Sequence, residues 1–260
     1  MKYSHRGCRL SNVKMEDISK FRNIGLIAHI DAGKTTVTED MLYLSGLIHR
    51  TGSIDDGTAA MDYLQEEKDR GITITAAAAT LKWGSHLFHL IDTPGHIDFT
   101  VEVERSLRII DGAVVIFSGV EGVEAQSEKV WHQAAEYNIP KLAFINKLDR
   151  TGASFHRVNK EINDKFQRRA IPLQIPYGEE DSLNGVIDLL QMKLLQFYDS
   201  DNRQATTEKI PAEYSDLAQR YREHLLETLA DYSDVVAMSY LEGKTIPVQQ
   251  LKKSIRELTI

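Results

Sequence analysis

The sequence predicts an α/β fold: a mostly parallel sheet covered by helices on both faces, followed by a second, smaller α/β subdomain. Three observations predict it. Short apolar runs recur at 24–28, 87–91, 113–117 and 141–145, each bounded by turn residues, as buried parallel strands are. Helical patterns alternate with them along the chain. After about residue 169 the texture changes to short apolar segments punctuated by Pro172, Pro176 and Gly185, then a long helical pattern.

Taken in order, residues 1–20 show no period and read as an extension. Residues 21–170 carry the strand–helix alternation. Val37, Met41 and Leu44 share one helix face, and Phe99, Val103, Leu107 and Ile110 share another. Segment 73–83 reads as a further strand, and 123–137 and 154–166 as two more helices. In the second subdomain, 171–250, the segments 171–178 and 186–190 read as strands. Tyr214, Leu217, Tyr221, Leu225 and Leu229 give 211–231 a helical period. A last helix begins near 247, and residues 251–260 read as the start of a return to the first body.

Composition narrows the function classes. Hydrophobic residues make up 42% of the 260, which is a globular proportion. Lys plus Arg total 31 against 38 Asp plus Glu, a net charge of -7, and both halves of the chain are acidic. Neither half is a basic surface that coats nucleic-acid phosphates unaided, so DNA is not an expected partner and RNA contact is expected to be local. No apolar run reaches the ~20 residues of a membrane helix. The lone Cys8 allows no intrachain disulfide and fits a reducing compartment. Arg6, Arg9 and Lys14 stand among Glu16 and Asp17, weak support for a mitochondrial transit segment; the cytoplasm is the expected location.

Four motifs carry chemistry. Ala28-His29-Ile30-Asp31-Ala32-Gly33-Lys34-Thr35 lies between a strand and a helix. A phosphate-binding loop needs converging backbone N–H groups, a helix N-terminus behind them and one lysine. Gly33 permits close backbone approach, Lys34 supplies the charge and is expected to be solvent-reachable, and Thr35 offers a hydroxyl to Mg²⁺. The common pattern begins with Gly where this loop has Ala28. The second motif, Asp92-Thr93-Pro94-Gly95-His96, ends an apolar strand. Asp92 is placed to hold a Mg²⁺-bound water, and Gly95 to turn its N–H toward a γ-phosphate.

The third motif is Asn146-Lys147-Leu148-Asp149, again after a strand. Guanine presents N1–H and N2–H₂ side by side, and the Asp149 carboxylate accepts both. Adenine lacks the N1 donor and would leave the carboxylate unmatched, which costs ~1–3 kcal/mol or more. The fourth is Arg70-Gly71-Ile72-Thr73-Ile74-Thr75, after a long acidic segment. Thr73 offers a second hydroxyl to Mg²⁺ in a segment that reads as a switch, ordered by a γ-phosphate and released on hydrolysis.

These motifs, in this order, resemble the translational GTPase family. Arg70-Gly71-Ile72-Thr73-Ile74 with Asp92-Thr93-Pro94-Gly95-His96 is the telling pair. Within that group the runs Met61-Asp62-Tyr63, His96-Ile97-Asp98-Phe99-Thr100, Asp149-Arg150-Thr151-Gly152-Ala153 and Gly185-Val186-Ile187-Asp188-Leu189 resemble the elongation factor G family. The resemblance implies a P-loop GTPase fold with 171–250 as an inserted subdomain. It implies GTP/GDP and Mg²⁺ as ligands, with Asp31, Gly33, Lys34, Thr35 and Thr36 on the phosphates. Thr35 and Thr73 are implied on Mg²⁺, with Asp92 acting through water.

His96 is implied as the residue that positions the attacking water, gated by Ile30 and Ile72. Asn146, Lys147 and Asp149 are implied as the guanine readers. The implied partner is the ribosome, its RNA and its stalk proteins, engaged by a monomer. Turnover in isolation is expected to be very slow. A Ser-Ala-containing fifth motif is implied after the last helix and does not occur before Ile260, which reads as a fragment or a truncated paralogue. Translocation or recycling is the expected role. The alternatives are a ribosomal protection protein, a peptide-release factor, or a nucleotide- or stalk-binding module without useful turnover.

Overall fold

The structure, a computed structural model, describes residues 17–49, 77–92, 100–166, 170–197 and 205–260. After a 3-10 turn at Ile18–Lys20, the first body runs β1 (Phe21–Ala28), α1 (Lys34–Leu44), β2 (Ala77–Trp83), β3 (His86–Asp92) and α2 (Thr100–Leu107). It continues through β4 (Gly112–Ser118), α3 (Ala125–Glu136), β5 (Lys141–Asn146) and α4 (Phe155–Phe166). The sheet order is β2-β3-β1-β4-β5. β3, β1, β4 and β5 run parallel, and β2 lies antiparallel on β3 across the Gly84 turn.

The run 113–117 shows why the central strands are apolar throughout. Ala113, Val115 and Phe117 face a cluster built with Leu107, Ala134, Val158, Ile162 and Phe166, from α2, α3 and α4. Val114 and Ile116 face the other way, onto Ala28 of β1, Ala32 in the loop that follows and Val37 of α1. Each residue of 113–117 therefore meets an apolar neighbour on one face or the other, so no polar alternation is selected there. Met41 packs on α1's inner side with Leu42, whereas Leu44, expected on the same face, is 43% exposed.

β5 differs from the expectation of a strand buried on both faces. Ile145 packs into the large cluster, but Leu142 and Phe144 are 52% and 44% exposed. The strand ends the sheet, and among the described residues no helix covers its second face.

The second body is an antiparallel sheet, β6 (Gln174–Tyr177), β7 (Gly185–Asp188), β8 (Lys193–Gln196) and β9 (Thr206–Glu208). With it lie α5 (Ala212–Ala230), α6 (Asp234–Leu241) and α7 (Val248–Thr259). Ile175, Ile187, Leu194, Leu225, Leu229 and Val236 are buried together. Leu251 of α7, the helix expected to open the return to the first body, packs into this cluster as well. Phe155, the first residue of α4, packs against it from the first body.

Candidate functional site

The carboxyl ends of β1, β3 and β5 meet at one end of the first sheet. β1 lies between β3 and β4, where strand order reverses, and ligands of open α/β sheets bind there. β1 delivers the loop His29–Gly33 to the start of α1. Asp31 and Gly33 are both left-handed, with φ of 63° and 89°. Asp tolerates that region, and Gly33 has a second reason for having no side chain: a Cβ would run into the Asn146 amide nitrogen. The Ala32 N–H donates to the His29 carbonyl at 3.3 Å. Such alternating backbone turns successive N–H groups toward one concavity. Gly33 is the N-cap of α1 and makes no side-chain cap hydrogen bond, and the positive end of a helix dipole favours an anion. Ala28, in place of the usual glycine, is buried against Ala32 and Ile116, so its methyl fills space in the core.

Lys34 departs from expectation. It is buried rather than solvent-reachable, and its Nζ lies 2.7 Å from Asp92 Oδ1, whose side chain is fully buried at the end of β3. Thr35 is buried beside it, whereas Thr36 is exposed. The buried carboxylate of Asp92 and the Thr35 hydroxyl, brought near one helix start, are hard oxygen donors of the kind Mg²⁺ prefers. The cradle, the lysine and these oxygens fit a Mg²⁺–nucleotide phosphate. Ile72, Thr73, Thr93, Pro94, Gly95 and His96 lie outside the described residues.

β5 delivers the Asn146–Asp149 motif to the same place. Asn146 Nδ2 donates to the Ala32 carbonyl at 3.0 Å, joining this motif to the phosphate loop across 114 residues of sequence. Lys147 is left-handed, φ 59°, and the turn closes with Arg150 N–H on the Lys147 carbonyl at 3.2 Å and Ala153 N–H on the Arg150 carbonyl at 3.1 Å. Leu148 packs toward Gly119, where a Cβ would stand 3.0 Å from its Cδ2. Asp149 points to solvent, 67% exposed, with Arg150 Nε at 4.0 Å, a surface pair of little energetic weight. An open cleft of about 390 Å³ lies beside Lys147, Arg150, Thr151, Val120 and Glu121.

The loop after β4 is a part of the site that sequence reading missed. Arg157 Nη2 donates to the carbonyls of Gly119 at 2.9 Å and Val120 at 2.6 Å, and Glu161 accepts the Val123 N–H at 2.9 Å. Gln126 accepts the Ile30 N–H at 3.4 Å. The signal was the pair Gly119 and Gly122 after a strand, which marks a crowded turn. Burial pulls the His29 pKa below its usual value; Glu124, Glu121 and Asp31 oppose the shift, and Lys147 adds to it. The Ser118 hydroxyl, the largest influence on Glu121, holds that carboxyl below its usual range.

With this geometry in view, comparison with known proteins is specific. The profile of the elongation factor Tu GTP binding domain matches residues 19–258. Elongation factor G of Fervidobacterium nodosum is 48% identical over 244 residues, covering 94% of this chain and 35% of that protein. A crystal structure from Thermus thermophilus matches with a TM-score of 0.83 and 29% identity, covering 92% of this chain and 35% of that one. The chain thus spans roughly a third of the length of both relatives.

Proposed function

The chain belongs to the elongation factor Tu GTP binding domain family, and we propose that it binds GTP and GDP with Mg²⁺ and hydrolyses GTP for a ribosome-dependent translation factor of the elongation factor G type. The observation that carries this reading is the Asn146–Ala32 hydrogen bond. It joins the Asn146–Asp149 turn to the His29–Gly33 loop, which supports reading the two as one site for the base and the phosphates of a guanine nucleotide.

In this reading the Asp31–Thr36 loop holds the phosphates through backbone N–H groups, and Lys34 turns from Asp92 to the terminal phosphates. Thr35, Thr73 and, through water, Asp92 would hold Mg²⁺, which would supply positive charge to the nucleotide phosphates. Asp149 accepts the guanine N1–H and N2–H₂, Asn146 braces the pocket, and the Lys147 stem packs on the base. His96 orients the attacking water, with Ile30 and Ile72 as its gate. Phosphoryl transfer is mainly positioning and charge stabilisation, which these groups would contribute to, and the ribosome completes the site for turnover. Translocation or recycling in the cytoplasm, with ribosomal RNA and stalk proteins as partners, is the proposed setting. Residues 171–250 act there as an inserted subdomain.

Equilibrium titration with fluorescent GDP and ADP, with and without Mg²⁺, tests this. GDP is expected to bind at least tenfold more tightly than ADP. Equal binding of the two would remove the guanine assignment.

A further inference from the structure

Glu180 reaches from the second body to the turn that carries Asp149. It sits just past β6 in a loop with little freedom. Gly178 is left-handed, φ 91°, and a Cβ there would run into the Ser182 carbonyl oxygen. The Ser182 hydroxyl donates to the Glu179 carbonyl at 2.6 Å, and the Asn184 N–H donates to the Tyr177 carbonyl at 2.9 Å. Glu180 itself is left-handed, φ 48°, an uphill conformation for a residue with a side chain and one that persists only where its surroundings impose it.

This loop directs a carboxylate at the first body. Glu180 Oε1 accepts the Gly152 N–H at 2.6 Å. A charged acceptor on a backbone donor is among the stronger hydrogen bonds. Gly152, left-handed at φ 82°, follows Asp149 by three residues in the same turn. Near this contact His156 Nδ1 and the Tyr221 hydroxyl lie 2.7 Å apart, and Tyr214 accepts the Gly178 N–H at 3.2 Å. Asp149 is solvent-exposed, so its position depends on the backbone of its turn. Asn146 secures one end of that turn to Ala32, and Glu180 secures the other.

We propose that Glu180 is a positioning residue for guanine selection: by holding the Gly152 N–H it sets where Asp149 stands. The inference rests on the reading of Asp149 as the guanine acceptor. A part of the molecule remote from the phosphate loop thereby governs how long a guanine nucleotide stays.

The test compares the parent protein with Glu180→Asn and Glu180→Gln. Asparagine tolerates the left-handed conformation and so keeps the loop, but is too short to reach; glutamine keeps both length and an acceptor oxygen. Dissociation rates of fluorescent GDP and inosine diphosphate, which lacks the N2 amino group, are the readout. Glu180→Asn is expected to release GDP about threefold to tenfold faster, with the preference for GDP over inosine diphosphate narrowed. Glu180→Gln is expected to stay within about twofold of the parent, since an amide oxygen still accepts. A parent that prefers GDP while Glu180→Asn keeps its rates and preference would overturn the role of Glu180 and leave Asp149 in place. A parent without preference between the two nucleotides would overturn the Asp149 reading and this inference with it.

Discussion

Lys34 Nζ and Asp92 Oδ1 form a 2.7 Å ion pair with both side chains buried, so the lysine of the phosphate loop is also a structural partner of the β3 terminus. Lys34→Ala is therefore expected to do two things. It abolishes measurable GTP binding, and it costs about 3 kcal/mol of stability because it takes the cation away from a buried carboxylate. Adding Asp92→Ala restores much of the stability and none of the binding. Guanidinium unfolding and nucleotide titration of the two variants separate the effects. A single variant with parental stability and binding would show that the pair does neither.

Asp149→Asn is expected to weaken GDP binding at least tenfold and to improve binding of xanthosine diphosphate. The amide presents donors to guanine's donors, whereas xanthine offers a carbonyl at that ring position. Loss of a charge-assisted bond is ~1.5–3 kcal/mol, and tenfold needs about 1.4. Unchanged GDP affinity in the folded variant would take Asp149 out of the site.

Gly33→Ala is expected to lower stability by about 1–2 kcal/mol and to weaken GDP binding. The new methyl meets both an unfavourable φ of 89° and the Asn146 amide. Combining it with Asn146→Ala clears the contact but leaves the backbone strain, so binding stays weak. Thermal melts with and without GDP read both quantities.

His29 imposes an acid limit. Burial lowers its pKa in the folded chain below the 6.5 of a free histidine. Unfolded chains then bind more protons than folded ones between the folded value and about 6.5, so stability is full above that range and falls as pH drops through the folded value. Urea midpoints at pH 7.5 and 5.5 should diverge more for the parent than for His29→Asn. Equal divergence would place the acid sensitivity elsewhere.

His96→Ala is expected to spare GTP affinity and remove ribosome-stimulated hydrolysis. A residue that orients water acts in the transition state, so its loss appears in kcat. Stimulated turnover at the parental rate would assign water positioning to another group.

Much of this site was legible because its motifs are local. A strand, a loop and a helix start are consecutive in 24–44, and the Asn146–Asp149 motif begins on the last residue of the apolar run's strand, 141–146. Long-range contacts were not legible. Nothing near Lys34 in sequence announces Asp92, so its burial went unread. The apolar run 141–145 reads as doubly buried, yet an edge position leaves Leu142 and Phe144 open. α6 was missed because Val235, Val236, Met238, Tyr240 and Leu241 surround the helix with apolar residues, leaving no polar face to give a period. β9 spans three residues, too few for alternation to register.

α4 belongs to two interiors at once: Val158, Ile162 and Phe166 are core residues of the first body, and Phe155 at its start packs into the second. The two interiors therefore meet along one helix. Heat should take both apart in a single calorimetric step, with van't Hoff and calorimetric enthalpies agreeing. A nucleotide seated on the first sheet would then raise the melting temperature of the second, which it never touches.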